Sequence, residues 1–202
     1  MTADNEVIRR SWDSPRMFGE LFTRHGPVVH GYLKRRAGPD VAEEVLSETF
    51  LTAFQQRATF DTTWESARPW LLGIATRLLH AHGRREARHL RVQARAAERE
   101  DHDGGIARAG ERADAVTAVA AIRDAIARLS VADRDTLLLH AWGDLNQEQT
   151  AAALQVPLGT VKSRLNRARR TLRASVAAST TDENTTDEKE AHRGRVDVAA
   201  GA

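Results

Sequence analysis

The sequence predicts an all-α protein, and three observations carry that expectation. Large apolar residues recur at helical spacing through most of the 202 residues, no segment alternates apolar and polar residues with β-branched enrichment, and no cysteine is present to staple a loop-rich fold. Hydrophobic residues make up 41% of the chain and charged residues 29%, which suffices for a modest core in one or two small domains. Such a length excludes a large multidomain enzyme. The lack of cysteine excludes thiolate metal sites and cysteine nucleophiles and fits a reducing cytoplasm. No apolar run approaches the roughly 20 residues that span a bilayer. The first twenty residues, with Asp4, Glu6, Arg9, Arg10 and Asp13, lack the apolar stretch of a secretory signal. A cytoplasmic protein without a membrane segment is expected.

The elements follow in order. Phe18, Leu21, Phe22, Val28, Val29, Tyr32 and Leu33 open the first amphipathic pattern. Val41, Val45, Leu46, Thr49, Phe50, Ala53 and Phe54 form the second, with Asp40, after Gly38-Pro39, as its expected N-cap. Past a polar break at Asp61-Thr62-Thr63, the run Trp70, Leu71, Ile74, Ala75, Leu78 gives a third helix, and Pro69 suits its first turn. The pattern fades after about Ala97, and residues 98–113 are rich in acids and glycine, the composition of a flexible linker. A second series starts at Val116 and Val119, passes Ile122, Ile126 and Leu129, and resumes from Leu137 through Trp142 to Leu172. From Ser179 onward almost no large apolar residue remains, so residues 179–202 are expected to be a disordered tail. The expected organisation is two small helical domains, 1–97 and 114–178, joined by the linker and followed by the tail.

Net charge is only +2, but its distribution is uneven. Residues 68–95 hold seven arginines against the single acid Glu86. Residues 157–175 hold Lys162, Arg164, Arg167, Arg169, Arg170 and Arg173 and no acid at all. Between these blocks, residues 98–114 carry a net charge of −3. Two basic blocks separated by an acidic stretch point to two anion-binding surfaces, with nucleic acid as the first candidate.

The most informative stretch is LNQEQTAAALQVPLGTVKSRLNRARRTLR, residues 145–173. Asn146 suits the cap of a short helix whose Ala151, Ala152 and Leu154 allow another helix to cross closely. Gln155-Val156-Pro157 makes a tight turn, with Val156 turned inward. On the helix that follows, Val161, Leu165, Ala168 and Leu172 form one narrow apolar stripe. Ser163, Asn166, Arg167 and Arg170 point away from it, flanked by Lys162 and Arg173. A helix of this diameter fits the major groove, and its amide, hydroxyl and guanidinium groups suit base edges and phosphates. A merely solvated helix normally mixes charge signs. The spacing is therefore read as a helix-turn-helix whose second helix is the DNA reader, in an all-α fold.

At these residues a family resemblance appears. Leu158-Gly159-Thr160-Val161-Lys162-Ser163-Arg164-Leu165, followed by Arg167-Ala168-Arg169, resembles the region-four signature of bacterial extracytoplasmic-function sigma factors. Leu129 and Asp133-Arg134-Asp135 resemble the helix that precedes it. Residues 42–51 (AEEVLSETFL) are similar to the acidic helix of the same family's region two. Pro69-Trp70-Leu71-Leu72-Gly73-Ile74-Ala75 with Arg84-Arg85 is similar to its promoter-melting helix. The resemblance spans roughly residues 15–175, in order.

What the resemblance implies is a factor that binds core RNA polymerase, recognises the −35 and −10 promoter elements and starts transcription. It implies −35 contacts from Thr160, Lys162, Ser163, Arg164, Asn166, Arg167 and Arg170. It implies −10 contacts from Trp64, Arg68, Arg77, Arg84, Arg85 and Arg88. Glu43, Glu44, Leu46, Glu48 and Leu51 fall where the family meets the clamp helices of the polymerase's largest subunit, and an anti-sigma protein commonly blocks both domains. Val45, Phe50 and Trp70 are expected in the core. The chain departs from the family at Arg77 (commonly Asn), Ala81 (commonly Asp), Gln155 (usually Gly) and Ser130 (usually Pro). A repressor or response regulator is the main rival, but residues 1–97 lack the strand–helix alternation of a receiver domain. His80 and His82, two apart on a helix, point to different faces, and His89 has only Glu86 nearby. No metal site, cofactor or catalytic residue is expected.

Overall fold

The computed structural model describes residues 2–97 and 115–175, so the expected linker (98–113) and tail (179–202) lie outside the described residues. These form α1 (Asp4–Asp13), α2 (Gly19–Ala37), α3 (Pro39–Gln55), α4 (Arg68–Ala97), α5 (Ala115–Arg128), α6 (Val131–Trp142), α7 (Gln147–Leu154) and α8 (158–175). Single 3₁₀ turns occupy Pro15–Phe18 and Arg57–Thr59, and no strand occurs among the described residues. The all-α expectation holds. Contacts divide the chain into two units, Met1–Ile106 with Leu138–Lys162, and Ala107–Leu137 with Ser163–Ala202.

In the first unit, α2, α3 and α4 pack on one another around Leu21, Val29, Leu33, Val45, Ala53, Leu71, Leu72 and Ile74, all at most 1% exposed. The polar groups buried there are satisfied in a fixed order. Arg36 Nη1 donates to the Tyr32 hydroxyl at 2.6 Å, and Tyr32 lies 2.8 Å from Thr76 Oγ1. The Thr76 hydroxyl donates to the Leu72 carbonyl at 2.8 Å, so Tyr32 donates to Thr76. Helix α7 also packs on α4. Gly73 permits that approach, because a Cβ there would stand 2.4 Å from the Ala153 carbonyl oxygen.

Two local features depart from the sequence reading. The cap of α3 is Gly38, at φ +85°, with Pro39 in the first turn; Asp40 sits one position inside rather than capping. Proline's fixed φ suits the first helical position, which moves the cap upstream. The second departure is α1. It buries only Val7 and Ile8 with the polar Asp4 and Ser11, an apolar stripe too short to register as a period. Trp70, expected in the core, is half-buried with its ring 5.2 Å from that of Phe60. Val45 and Phe50 are buried as expected.

In the second unit, Ala125, Leu129, Thr136, Leu165 and Ala168 are buried. The predicted stripe of α8 is observed, with Val161, Leu165 and Ala168 at most 1% exposed and Leu172 partly so.

Candidate nucleic-acid interface

The loop between the Arg57–Thr59 turn and α4 has its own internal scaffold. Asp61 Oδ1 accepts from the Thr63 N–H at 3.0 Å and the Thr63 hydroxyl at 2.8 Å, and the Trp64 N–H donates to the Asp61 carbonyl at 3.1 Å. This is an Asx-type turn. The hydrogen bonds from the Thr63 amide and hydroxyl hold the Asp61 carboxyl below the usual carboxylate range. Trp64 is half-buried beside a cavity of about 370 Å³, lined also by Phe60, Asp61, Trp70, Arg77 and Gln155. An aromatic ring, a carboxylate and a guanidinium around a cavity of this kind can stack and hydrogen-bond a planar base.

The candidate −10 cations differ in setting. Arg68 pairs with Asp144 at 3.2 Å, and its Nε is buried without a hydrogen bond. Arg77 is exposed as a whole, yet partial desolvation of its guanidinium lowers its pKa. Arg84, Arg85 and Arg88 project from the solvent-exposed part of α4, where every residue from 83 to 92 is exposed. Arg85 pairs with Glu48 of α3 at 3.2 Å.

The candidate polymerase face lies on α3. Glu43, Glu44 and Leu51 are exposed, with Leu51 at 57%, and Leu46 and Glu48 are partly exposed. Glu44 stands 3.5 Å from His82 and Glu48 pairs with Arg85, so two of these acids have neighbours on α4. The sequence reading missed Phe22, which is 49% exposed with its ring edge-on to Phe50 at 4.9 Å. Helical spacing placed Phe22 in the amphipathic pattern of α2 without a role, and only the packing of α2 on α3 shows it at the margin.

The helix-turn-helix is built as its spacing implied. Asn146 Oδ1 accepts from the Gln149 N–H at 2.8 Å, while Gln149 Oε1 accepts from the Asn146 N–H at 2.9 Å, a reciprocal cap at the start of α7. Gln155 ends α7 at φ 55°, ψ 45°, the left-handed region that ordinarily favours glycine. Val156 is only partly buried. On α8, Lys162, Ser163, Asn166, Arg167 and Arg170 are exposed, and Thr160 and Arg164 are partly so.

Arg167 is not simply an outward cation. Its Nη2 and Nε donate to the two carboxylate oxygens of Asp133 at 2.8 and 3.2 Å. These bonds hold the Asp133 carboxyl below its ordinary range and raise the Arg167 pKa. Thirty-four residues separate the pair, so no local spacing could have revealed it. Its geometry makes Arg167 a brace between α6 and α8, with base contact possible only for N–H groups outside the bidentate pair.

A capped helix, a left-handed turn and an acid-free basic helix with one buried stripe define a helix-turn-helix DNA-binding protein. Comparison with known proteins narrows this class. The sequence profile "Sigma-70 region 2" matches residues 21–89, and "Sigma-70, region 4" matches residues 120–172. The chain is 32% identical over 152 residues to the ECF RNA polymerase sigma factor RpoE of Cereibacter sphaeroides, covering 73% of this chain and 80% of that one. It is 31% identical over 158 residues to the ECF RNA polymerase sigma factor SigL of Mycobacterium tuberculosis, covering 77% and 86%. Among solved structures, the fold resembles CnrH in complex with the cytosolic domain of CnrY, with TM-score 0.58 and 22% identity over 87% of this chain and 97% of that one. It also resembles the sigma factor RpoE from Bartonella quintana, with TM-score 0.56 and 20% identity over 79% and 96%. The chain belongs to the extracytoplasmic-function sigma factors of bacterial RNA polymerase. It directs promoter-specific initiation of transcription by that polymerase.

Among the described residues no helix is long and apolar enough to cross a membrane, and no group of three or more His, Asp or Glu side chains could hold a metal ion.

Proposed function

We propose that the sigma activity divides along the chain as the sequence segments suggest. Residues 1–97 bind core polymerase and read and open the −10 element, and residues 114–178 read the −35 element. The observation that carries the division is α8: a helix with a buried stripe, an exposed opposite face and six cations without an acid, placed behind a capped α7. Phosphate contacts from Lys162, Arg164 and Arg170 would supply most of its affinity, and Asn166, Ser163 and Thr160 its base preference. In the first segment, Trp64 and Arg77 would receive an unstacked −10 base, with Arg68, Arg84, Arg85 and Arg88 on the released strand. Glu43, Glu44, Leu46, Glu48 and Leu51 would meet the clamp helices of the largest polymerase subunit.

In this reading the chain has no catalytic role, needs no cofactor and works in the cytoplasm, where its polymerase is; bond formation belongs to the polymerase. An anti-sigma protein is a further proposed partner. CnrH was solved with the cytosolic domain of CnrY, and the Bartonella RpoE with the anti-sigma factor NepR, which supports that proposal.

The test is reconstituted transcription. The purified chain is added to sigma-free bacterial core polymerase on a library of promoter fragments, and start sites are mapped. Defined new starts sharing a −35 and a −10 motif are expected. No new starts, with no co-migration with core polymerase, would contradict the reading.

A further inference from the structure

Helix α1 lies upstream of the segment matched by the region-two profile, residues 21–89, and none of the contacts proposed above uses it. Its first turn is nevertheless tied to the loop that carries Trp64 at three points, each on main-chain atoms. The Asp4 N–H, one of the amides that a helix start leaves unpaired, donates to the Glu65 carbonyl at 3.0 Å. Asn5 Nδ2 donates to the Thr62 carbonyl at 3.1 Å. Asp4 Oδ2 accepts from the Ala67 N–H at 2.9 Å. That bond sets a carboxylate at the N-terminal end of α4, where the helix dipole favours it.

Asp4 is itself immobilised. It is 6% exposed, and from α2 it receives His25 Nε2 at 2.6 Å and Arg24 Nη1 at 3.0 Å. Arg24 is fixed in turn by Glu20 at 2.7 Å and the Thr2 carbonyl at 2.6 Å. An ionised carboxylate only accepts, so the proton of the His25 contact sits on Nε2. Burying a carboxylate is costly unless it is paired and hydrogen-bonded, and here both oxygens are engaged. Anchoring α1 to α2 would need only Arg24 and His25. The bonds to positions 62, 65 and 67 instead bracket Trp64, and the Asp61 turn closes the loop from within.

We infer that α1 is a working part of the −10 reader: Asp4 and Asn5 are positioning residues that fix the main chain on both sides of Trp64. They thereby set which −10 base the loop accepts and how readily the duplex opens. This rests on the proposed −10 reading of the Trp64 loop, and the experiment separates the two.

Holoenzyme is reconstituted from core polymerase and the full chain as wild type, Asp4→Asn, Asn5→Ala and Trp64→Ala. Three properties are measured: retention on core polymerase, −35-dependent closed binding at low temperature, and opening, followed by 2-aminopurine in the −10 element. Transcript yield is also compared across all single-base −10 variants. Asp4→Asn is expected to slow opening about tenfold, within the loss that a small misplacement of a reading group causes. It should also flatten the −10 base preference, while core retention and closed binding stay at wild-type values. Asn5→Ala removes one bond from a half-buried side chain and is expected to act in the same direction more weakly. If both variants keep wild-type opening and base preference while Trp64→Ala alters them, the inference fails and the −10 reading stands. If Trp64→Ala leaves the −10 preference intact, the reading fails and the inference with it. Should Asp4→Asn not fold, Asn5→Ala decides: a loss confined to opening supports the inference, and a proportional loss of all three properties overturns it.

Discussion

The two elements proposed as promoter readers in this sigma factor are held in place by different physics. The Trp64 loop is fixed by directional polar bonds, centred on a buried carboxylate that reaches across 63 residues to the Ala67 amide. Helix α8 is fixed by apolar burial of Val161, Leu165 and Ala168, with one half-exposed ion pair, Arg167–Asp133, at its margin. A loop proposed to accept a base keeps little continuous apolar face to bury, so hydrogen bonds specify its conformation. A helix entering a groove keeps its shape through its own backbone and needs only one face anchored. The polar scaffold should respond to pH, whereas the apolar burial of α8 should not, its Arg167–Asp133 pair apart.

Four perturbations test that contrast, from the largest expected effect to the smallest. Leu165→Ala removes a side chain that is 1% exposed, and it should lower unfolding stability by about 2–5 kcal/mol. Urea unfolding at pH 7 and pH 4 should give the same loss. Asp4→Asn should cost about 2–3 kcal/mol at pH 7, because it weakens charge-assisted bonds to Ala67, His25 and Arg24. Burial acts to raise the Asp4 pKa, but the bonds from His25, Ala67 and Arg24 outweigh it and hold the pKa below the ordinary value. The native pKa therefore lies below the unfolded one. The stabilisation is present above about pH 4 and is lost as pH falls through the native value. The gap between wild type and Asp4→Asn should accordingly narrow on acidification below pH 4, unlike that for Leu165→Ala.

Asn146→Ala breaks the reciprocal cap of α7 and should cost about 1 kcal/mol, measured by thermal unfolding. Arg167→Ala sharpens the comparison at the margin of α8. If the guanidinium acts as a brace to Asp133, DNA binding should weaken modestly and in the same proportion on matched and scrambled −35 sequences. The exchanged pair Asp133→Arg with Arg167→Asp should recover part of that loss. A selective loss on matched DNA would instead make Arg167 a base reader.

Much of this was legible in the sequence, for a reason that also explains the gaps. Helices α2, α3, α4 and α8 bury long, regular stripes, so their periods appear directly in the spacing of Leu, Val, Phe and Ala. The capping role of Asn146 is local and was equally visible. Helix α1 was not, because its ten residues offer only Val7 and Ile8 as buried large apolar side chains, and its place depends on partners some 20 and 60 residues away. The Gly38 cap was misassigned to Asp40 by the same short-range logic, since an acid after proline resembles a cap until the backbone angles are known. The left-handed Gln155 shows the opposite case: the departure from glycine was read, and the turn accepts the side chain at φ 55°. The basic face of α8 was legible by phase, but its Arg167 brace was not. Long-range polar pairs leave no period.

The most direct measurement is promoter-library transcription by reconstituted holoenzyme with one reader altered at a time, Trp64→Ala in the first and Asn166→Ala in the second. Two separate readers in one chain should give a base-preference change confined to the −10 element for Trp64→Ala, and confined to the −35 element for Asn166→Ala. A change that spreads over both elements with either substitution, or appears at neither, would contradict the assignment of one promoter element to each reader.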